Sequence, residues 1–153
     1  MANVFNVAKR GIIDGTIDIQ ADTLRVLLYT TSPNADLTDA QLDLTTVANV
    51  EADAAFAEAT HASYTGQGAS GRLTLGARTA STDNTNNRSE QDAADLTWTA
   101  LNSFTITGAL LFKFVTNDSD SIPIAYYNLA DTTCNGGDII LQWNVEGFLW
   151  LTE

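Results

Sequence analysis

The sequence predicts an all-β fold: an antiparallel β-sandwich or jelly-roll-like barrel with a short N-terminal helix. Three observations predict it. Runs rich in branched and aromatic residues recur along the chain, such as TLRVLLYT at 23–30 and SFTITGALLFKFV at 103–115. Turn signals, among them Pro33-Asn34, NDSDS at 117–121 and Asn135-Gly136-Gly137, separate these runs; their spacing of roughly eight to twelve residues is that of sandwiches and barrels. The length, 153 residues with 44% apolar side chains, suits a single β domain over 1–153 with a core of its own.

The elements follow in order. Val4, Ala8 and Ile12 recur every fourth position, which predicts a helix in the first thirteen residues with Gly15 as its stop. In 23–30, Leu24, Val26 and Leu28 alternate with Leu27 and Tyr29, so this strand is expected to be buried on both faces. Residues 34–62 are acidic and alanine-rich. They read as an insertion or excursion, either partly helical, around 39–44 and 49–57, or lying along the outside of a sheet. A glycine-rich stretch at 64–71 leads into Leu73 and Leu75, which alternate with Arg72 and Thr74. The polar residues 81–94 read as a loop, and Leu96 and Trp98 share the inward face of a strand. In the strongest strand, Phe104, Ile106, Leu110, Phe112 and Phe114 share one face, with Thr105, Thr107 and Lys113 opposite. Pro123 places the next run at an edge or at a strand start. Beyond 135–137, Ile139, Leu141 and Trp143 fall on one side, NVEG turns the chain, and FLWLT returns antiparallel. Two of the three tryptophans would thus lie in a terminal hairpin, central in a sheet or covered by another subunit.

Charge narrows the function classes. Seven Lys and Arg face nineteen Asp and Glu, a net −12. Scattered cations on an acidic chain argue against nucleic acid, which needs clustered positive charge, and against an anionic membrane surface. No stretch is long and apolar enough for a spanning helix, and the first fifteen residues lack the apolar core of a signal peptide. Cys134 is the single cysteine, so an internal disulfide is impossible and a cysteine zinc site is not expected.

No residue pattern points to catalysis. His61 is the single histidine and has no nucleophile motif beside it. The glycines of 64–71 lack the lysine and hydroxyl of a phosphate loop. DNTNN at 83–87 and NDSDS at 117–121 carry oxygen ligands without the calcium-loop pattern, and read as solvated turns. Trp98, Trp143, Trp150, Tyr126 and Tyr127 could build a sugar platform, but Trp98 and Trp143 alternate with polar neighbours, so the set reads first as core or subunit interface. No cofactor, metal or catalytic residue is expected.

The order of motifs resembles a family of small tailed-phage virion structural proteins. Gly15, Ile17, Asp18, Asp22, Thr23 and Val26 match its opening steps. DAADLTWTAL and TITGALLFKF are similar to its central strands, and Asn135, Gly136, Gly137, Asp138 and Trp143 to its closing turn and strand. The chain departs from the pattern at Ala69, where the family has tyrosine, at Arg72, one place late, and across 34–62. The resemblance implies a non-enzymatic virion component, specifically a capsid decoration or cement protein on the outer face of the head, made in the host cytoplasm. Its partners would be the major capsid protein and copies of itself, as dimer or trimer. A tail, neck or head-fibre component is the alternative. The apolar ends and the 34–62 excursion nominate Phe5, Lys9, Phe56, Trp143, Phe148 and Trp150 as interface residues.

Overall fold

A computed structural model describes residues 3–65 and 71–152, and the glycines and alanine of 66–70 lie outside them. The protein is mostly β, 43% strand against 13% helix, with antiparallel pairing throughout the described strands. The predicted all-β, sandwich-like class is what the chain adopts. Its sheets are open ladders, not a closed barrel.

The main sheet is built on β2 (Leu24–Thr31), β8 (Asn102–Lys113) and β9 (Ile122–Asn135), with β1 (Asn3–Val4) beside β9 and β3 (Ala57–Glu58) and β4 (Leu73–Thr74) along β2. β2 has the predicted two-sided burial: Leu24, Val26, Leu27, Leu28 and Tyr29 are all inaccessible. The single-face expectation for 103–115 holds only in part. Register shifts beside Phe104 and Gly108 break the alternation, and Ala109 and Leu111 are as buried as Leu110 and Phe112. Pro123 is the second residue of β9, at its start.

Helix α1 (Asn6–Asp14) packs along β9 and is closed by Gly15 at φ +76°, the left-handed end that glycine adopts without strain. Between 34 and 62, α2 (Asp39–Leu42) and α3 (Val47–Ala52) are both shorter than the sequence suggests. Each starts at a threonine cap, Thr38 and Thr46. The excursion lies against the sheet: Val47 and Val50 are fully buried, and Phe56 packs on Tyr29 and Tyr126 at ring distances of 5.1 and 5.7 Å.

Two expectations are corrected. The polar 81–94 stretch is not a loop; β5 (Thr79–Asp83) and β6 (Arg88–Asp92) form a hairpin in register Thr79↔Asp92 to Asp83↔Arg88. Neither face of β5 is buried, so hydrophobic alternation could not reveal it. The terminal segment is not a long hairpin either. β10 (Ile139–Leu141) pairs with β7 (Leu96–Trp98), and β11 (Leu149–Thr152) pairs with β6 at the edge of a three-stranded sheet. Only the tight Asn144↔Gly147 bridge survives of the expected hairpin. Between them the Trp143 backbone N–H donates to Asp95 Oδ1 (3.1 Å). All buried apolar residues join one connected core, to which Phe148 and Leu149 belong.

Candidate functional site: an aromatic cleft beside the C-terminal strand

Where β9 passes the segment 141–150, a cleft of about 200 Å³ opens to the surface. Tyr127, Asn128 and Leu129 of β9 form one wall; Leu141 to Asn144 form the other; Gly147, Phe148 and Trp150 close it. Its aromatic rings form a chain, with Tyr127 5.5 Å from Trp143 and Trp143 5.7 Å from Phe148, both tilted. The polar ends of these rings are tied inward. Tyr127 Oη donates to the Phe148 carbonyl (2.8 Å), and Trp143 Nε1 donates to the Ala94 carbonyl (3.1 Å). Burial pushes the Tyr127 phenol well above its ordinary pKa, so it stays a neutral donor.

Beside the cleft the turn 144–147 carries Val145 at 95% exposure. Gly147 makes that turn, with φ +86° and its N–H donating to the Asn144 carbonyl (2.7 Å). Around the rim the charge is negative. Asp92 and Asp95 are exposed, and the single cation, Arg88, is shared by Asp83 (3.4 Å), Glu90 (2.8 Å) and Glu146 (2.7 Å), with its guanidinium 5.8 Å from the Trp150 ring centre. Hydrogen bonds donated to Glu146, with the weaker help of Glu90, hold the Arg88 pKa above its usual value against the cost of desolvation. The cleft therefore offers apolar ring faces, the amides of Asn128, Gln142 and Asn144, and an acidic rim. Such a lining adheres to apolar or amphipathic groups.

Of the six nominated interface residues, Trp143, Phe148 and Trp150 meet in this cleft. Trp143 and Trp150 are half-buried there, whereas Phe148 is sealed beneath them. Phe5 and Phe56 are buried within the chain itself, so with Phe148 they have no surface for a partner; their bulk serves folding. Lys9 is exposed on α1, its Nζ donating to Asn6 Oδ1 (3.0 Å), and does not line the cleft. The five-residue sugar platform also divides: Trp98 and Tyr126 are core, with Trp98 Nε1 donating to the Gly71 carbonyl (2.7 Å).

Sequence reasoning missed a second constellation. Arg72, placed on an outward face by its alternation with Leu73, is 3% exposed. Its guanidinium forks between Glu58 (Nε to Oε1, 2.8 Å) and Asp118 (Nη1 to Oδ1, 2.5 Å), 5.5 Å from the Phe112 ring centre. Tyr64 Oη donates to Glu58 (3.1 Å) and accepts the Leu28 N–H, while Tyr29 Oη donates to Glu51 (2.9 Å). Burial opposes the charge on Arg72, but Glu58 and Asp118 outweigh it and raise its pKa. Burial raises the Glu51 pKa, and the nearby carboxylates of Glu58 and Asp118 add to the rise. This network ties the excursion (Glu58), the residue that leads into β4 (Arg72) and the 117–121 turn (Asp118) into one unit. The sole signal in the sequence was an arginine in an otherwise strand-like run.

The remaining candidates have local partners. His61 Nδ1 accepts the Ser63 N–H (3.1 Å), and the ring packs 5.9 Å from Phe104. Asp83 accepts from the N–H groups of Thr85 and Asn86, and Asn117 Oδ1 accepts from Ser119 and Asp120, so both candidate calcium turns spend oxygens on their own backbone. Among the described residues, no three His, Cys, Asp or Glu side chains gather as metal ligands. Compared with known proteins, the chain matches no family model, no curated protein and no solved structure.

Proposed function

We propose that this protein is a structural component of a tailed-phage virion, a capsid decoration or cement protein. It would bind the outer face of the head and hold major capsid subunits and copies of itself together. The order of motifs supports the reading, and the observation that carries it is the open aromatic cleft with Val145 projecting beside it. A chain of charge −12 gains solubility from its surface. Partly exposed tryptophans beside a fully exposed valine oppose that trend and fit a contact surface. Action is by adhesion, without covalent chemistry. Mass spectrometry of purified particles tests the reading: many copies per head, reduced by Val145→Asp, are expected. A handful of copies would move the protein to the tail, neck or a head fibre, and none would overturn the virion assignment.

A second reading has one observation in its favour. Tyr127, Trp143 and Trp150 line the cleft with three neutral amides, a combination that suits a sugar's apolar face and hydroxyl edge. Glycan-array binding that disappears in Trp150→Ala with the fold intact would favour it over the virion reading.

A further inference from the structure

All seven Lys and Arg side chains are described, and five are held within the chain. Arg72 and Arg88 lie among carboxylates, Lys113 pairs with Asp22 (2.8 Å), Arg78 donates to the Ile19 and Asp22 carbonyls, and Arg25 stacks 3.7 Å over the Phe114 ring. The remaining two, Lys9 and Arg10, are exposed, and both belong to α1. Helical spacing puts them on one face with Ile13, which is 87% exposed, while Ala8 and Gly11 face the core. The protein's two exposed cations and one of its most exposed aliphatic side chains thus coincide on a single helix face.

The C-terminal cleft is the complement: an apolar hollow, an exposed valine and an acidic rim. We propose that copies of this protein associate head to tail, with the α1 face of one copy, Lys9, Arg10 and Ile13, seated on the cleft of the next. Ile13 enters among Trp143, Trp150 and Val145; Lys9 and Arg10 approach Asp95 and Glu146. Two chains of charge −12 repel at long range. Contact is therefore least costly at α1, where Lys9 and Arg10 offset the local negative charge; the Arg10–Asp14 pair is long (3.7 Å) and exposed and leaves the arginine free to re-pair. A contact between two different surfaces is heterologous, so it closes into a ring or grows open-ended, in contrast to an isologous dimer. The inference specifies how copies meet in the proposed role, but its test needs no capsid.

Two variants decide it. Ile13→Asp spoils only the helix face and Val145→Asp only the cleft; both positions are exposed, and circular dichroism checks the fold. Should aspartate disturb folding, serine replaces it. By sedimentation over a concentration series at physiological salt, which screens the long-range repulsion, the wild type should self-associate. Each variant alone should bind itself at least tenfold more weakly. An equimolar mixture should form one-to-one dimers, because the cleft of Ile13→Asp and the helix of Val145→Asp are both intact. A wild type that stays monomeric, a variant that associates like the wild type, or a mixture that stays monomeric would overturn the proposal. Particle attachment is scored separately with the wild type: a wild type that self-associates as expected but does not attach to particles counts against the virion reading alone.

Discussion

Replacing Arg72 by leucine would leave the carboxylates of Glu58 and Asp118 desolvated without their cation. Removing one partner of a buried ion pair costs about 3–5 kcal/mol, and Arg72→Leu is expected to lose that much in urea unfolding. Arg72→Lys should recover only part of it, since an ammonium cannot fork to two carboxylates. Glu51 behaves in the opposite sense. Its folded pKa is raised above the ordinary 4.5, so the native state holds its proton more tightly than the unfolded chain. That contribution is complete below the ordinary value and is lost as pH rises through the folded pKa. Glu51→Gln, which can still accept from Tyr29, should therefore raise the melting temperature at pH 7–8, with the gain shrinking toward pH 4. A gain independent of pH would contradict the assignment. Asp22 works the other way: burial opposes its charge, but Lys113, the Asp18 hydrogen bond and Arg78 together outweigh burial, and the lowered pKa makes this site a source of stability that acid removes.

At the scale of elements, the attachment of β11 depends on one backbone position. A Cβ at Gly147 would meet the Gln91 carbonyl oxygen at 2.2 Å, and φ +86° already disfavours any other residue. Gly147→Ala should cost about 1–3 kcal/mol from the backbone conformation alone, and more from the clash. It should also break the Phe148 N–H to Gln91 carbonyl bond (2.8 Å) that starts the β11–β6 ladder. Faster amide exchange confined to 88–92 and 148–152 is the expected readout. Periodicity revealed α1 and β7 because each buries a regular stripe, and β2 stood out as an apolar run buried on both faces. It could not reveal β5, which buries nothing and is held by turn chemistry at Asp83 and by ladder bonds to β6. For β10 and β11, apolar composition announced strands but not partners, because pairing is a choice between non-local edges.

For the whole molecule, the C-terminus is structural: Phe148 and Leu149 join the same core as Trp98 and Tyr126. Deleting 148–153 should abolish a cooperative thermal transition, whereas Trp143→Ala, at a half-buried site, should leave one. A truncated chain as stable as the full one would refute this. The same segment furnishes the candidate cleft, so folding and adhesion draw on adjacent residues.

The sequence by itself determined the all-β class, the N-terminal helix, the two-sided burial of β2 and the structural weight of the chain's end, because these follow from local composition and period. It could nominate Phe5, Lys9, Phe56, Trp143, Phe148 and Trp150 but not sort them. Only the tertiary structure sealed Phe5, Phe56 and Phe148 in the core, left Trp143 and Trp150 open beside Val145, and folded Arg72 inward between Glu58 and Asp118. The physical reason is that burial of one side chain is settled by partners 14 and 46 positions away, which no local pattern records.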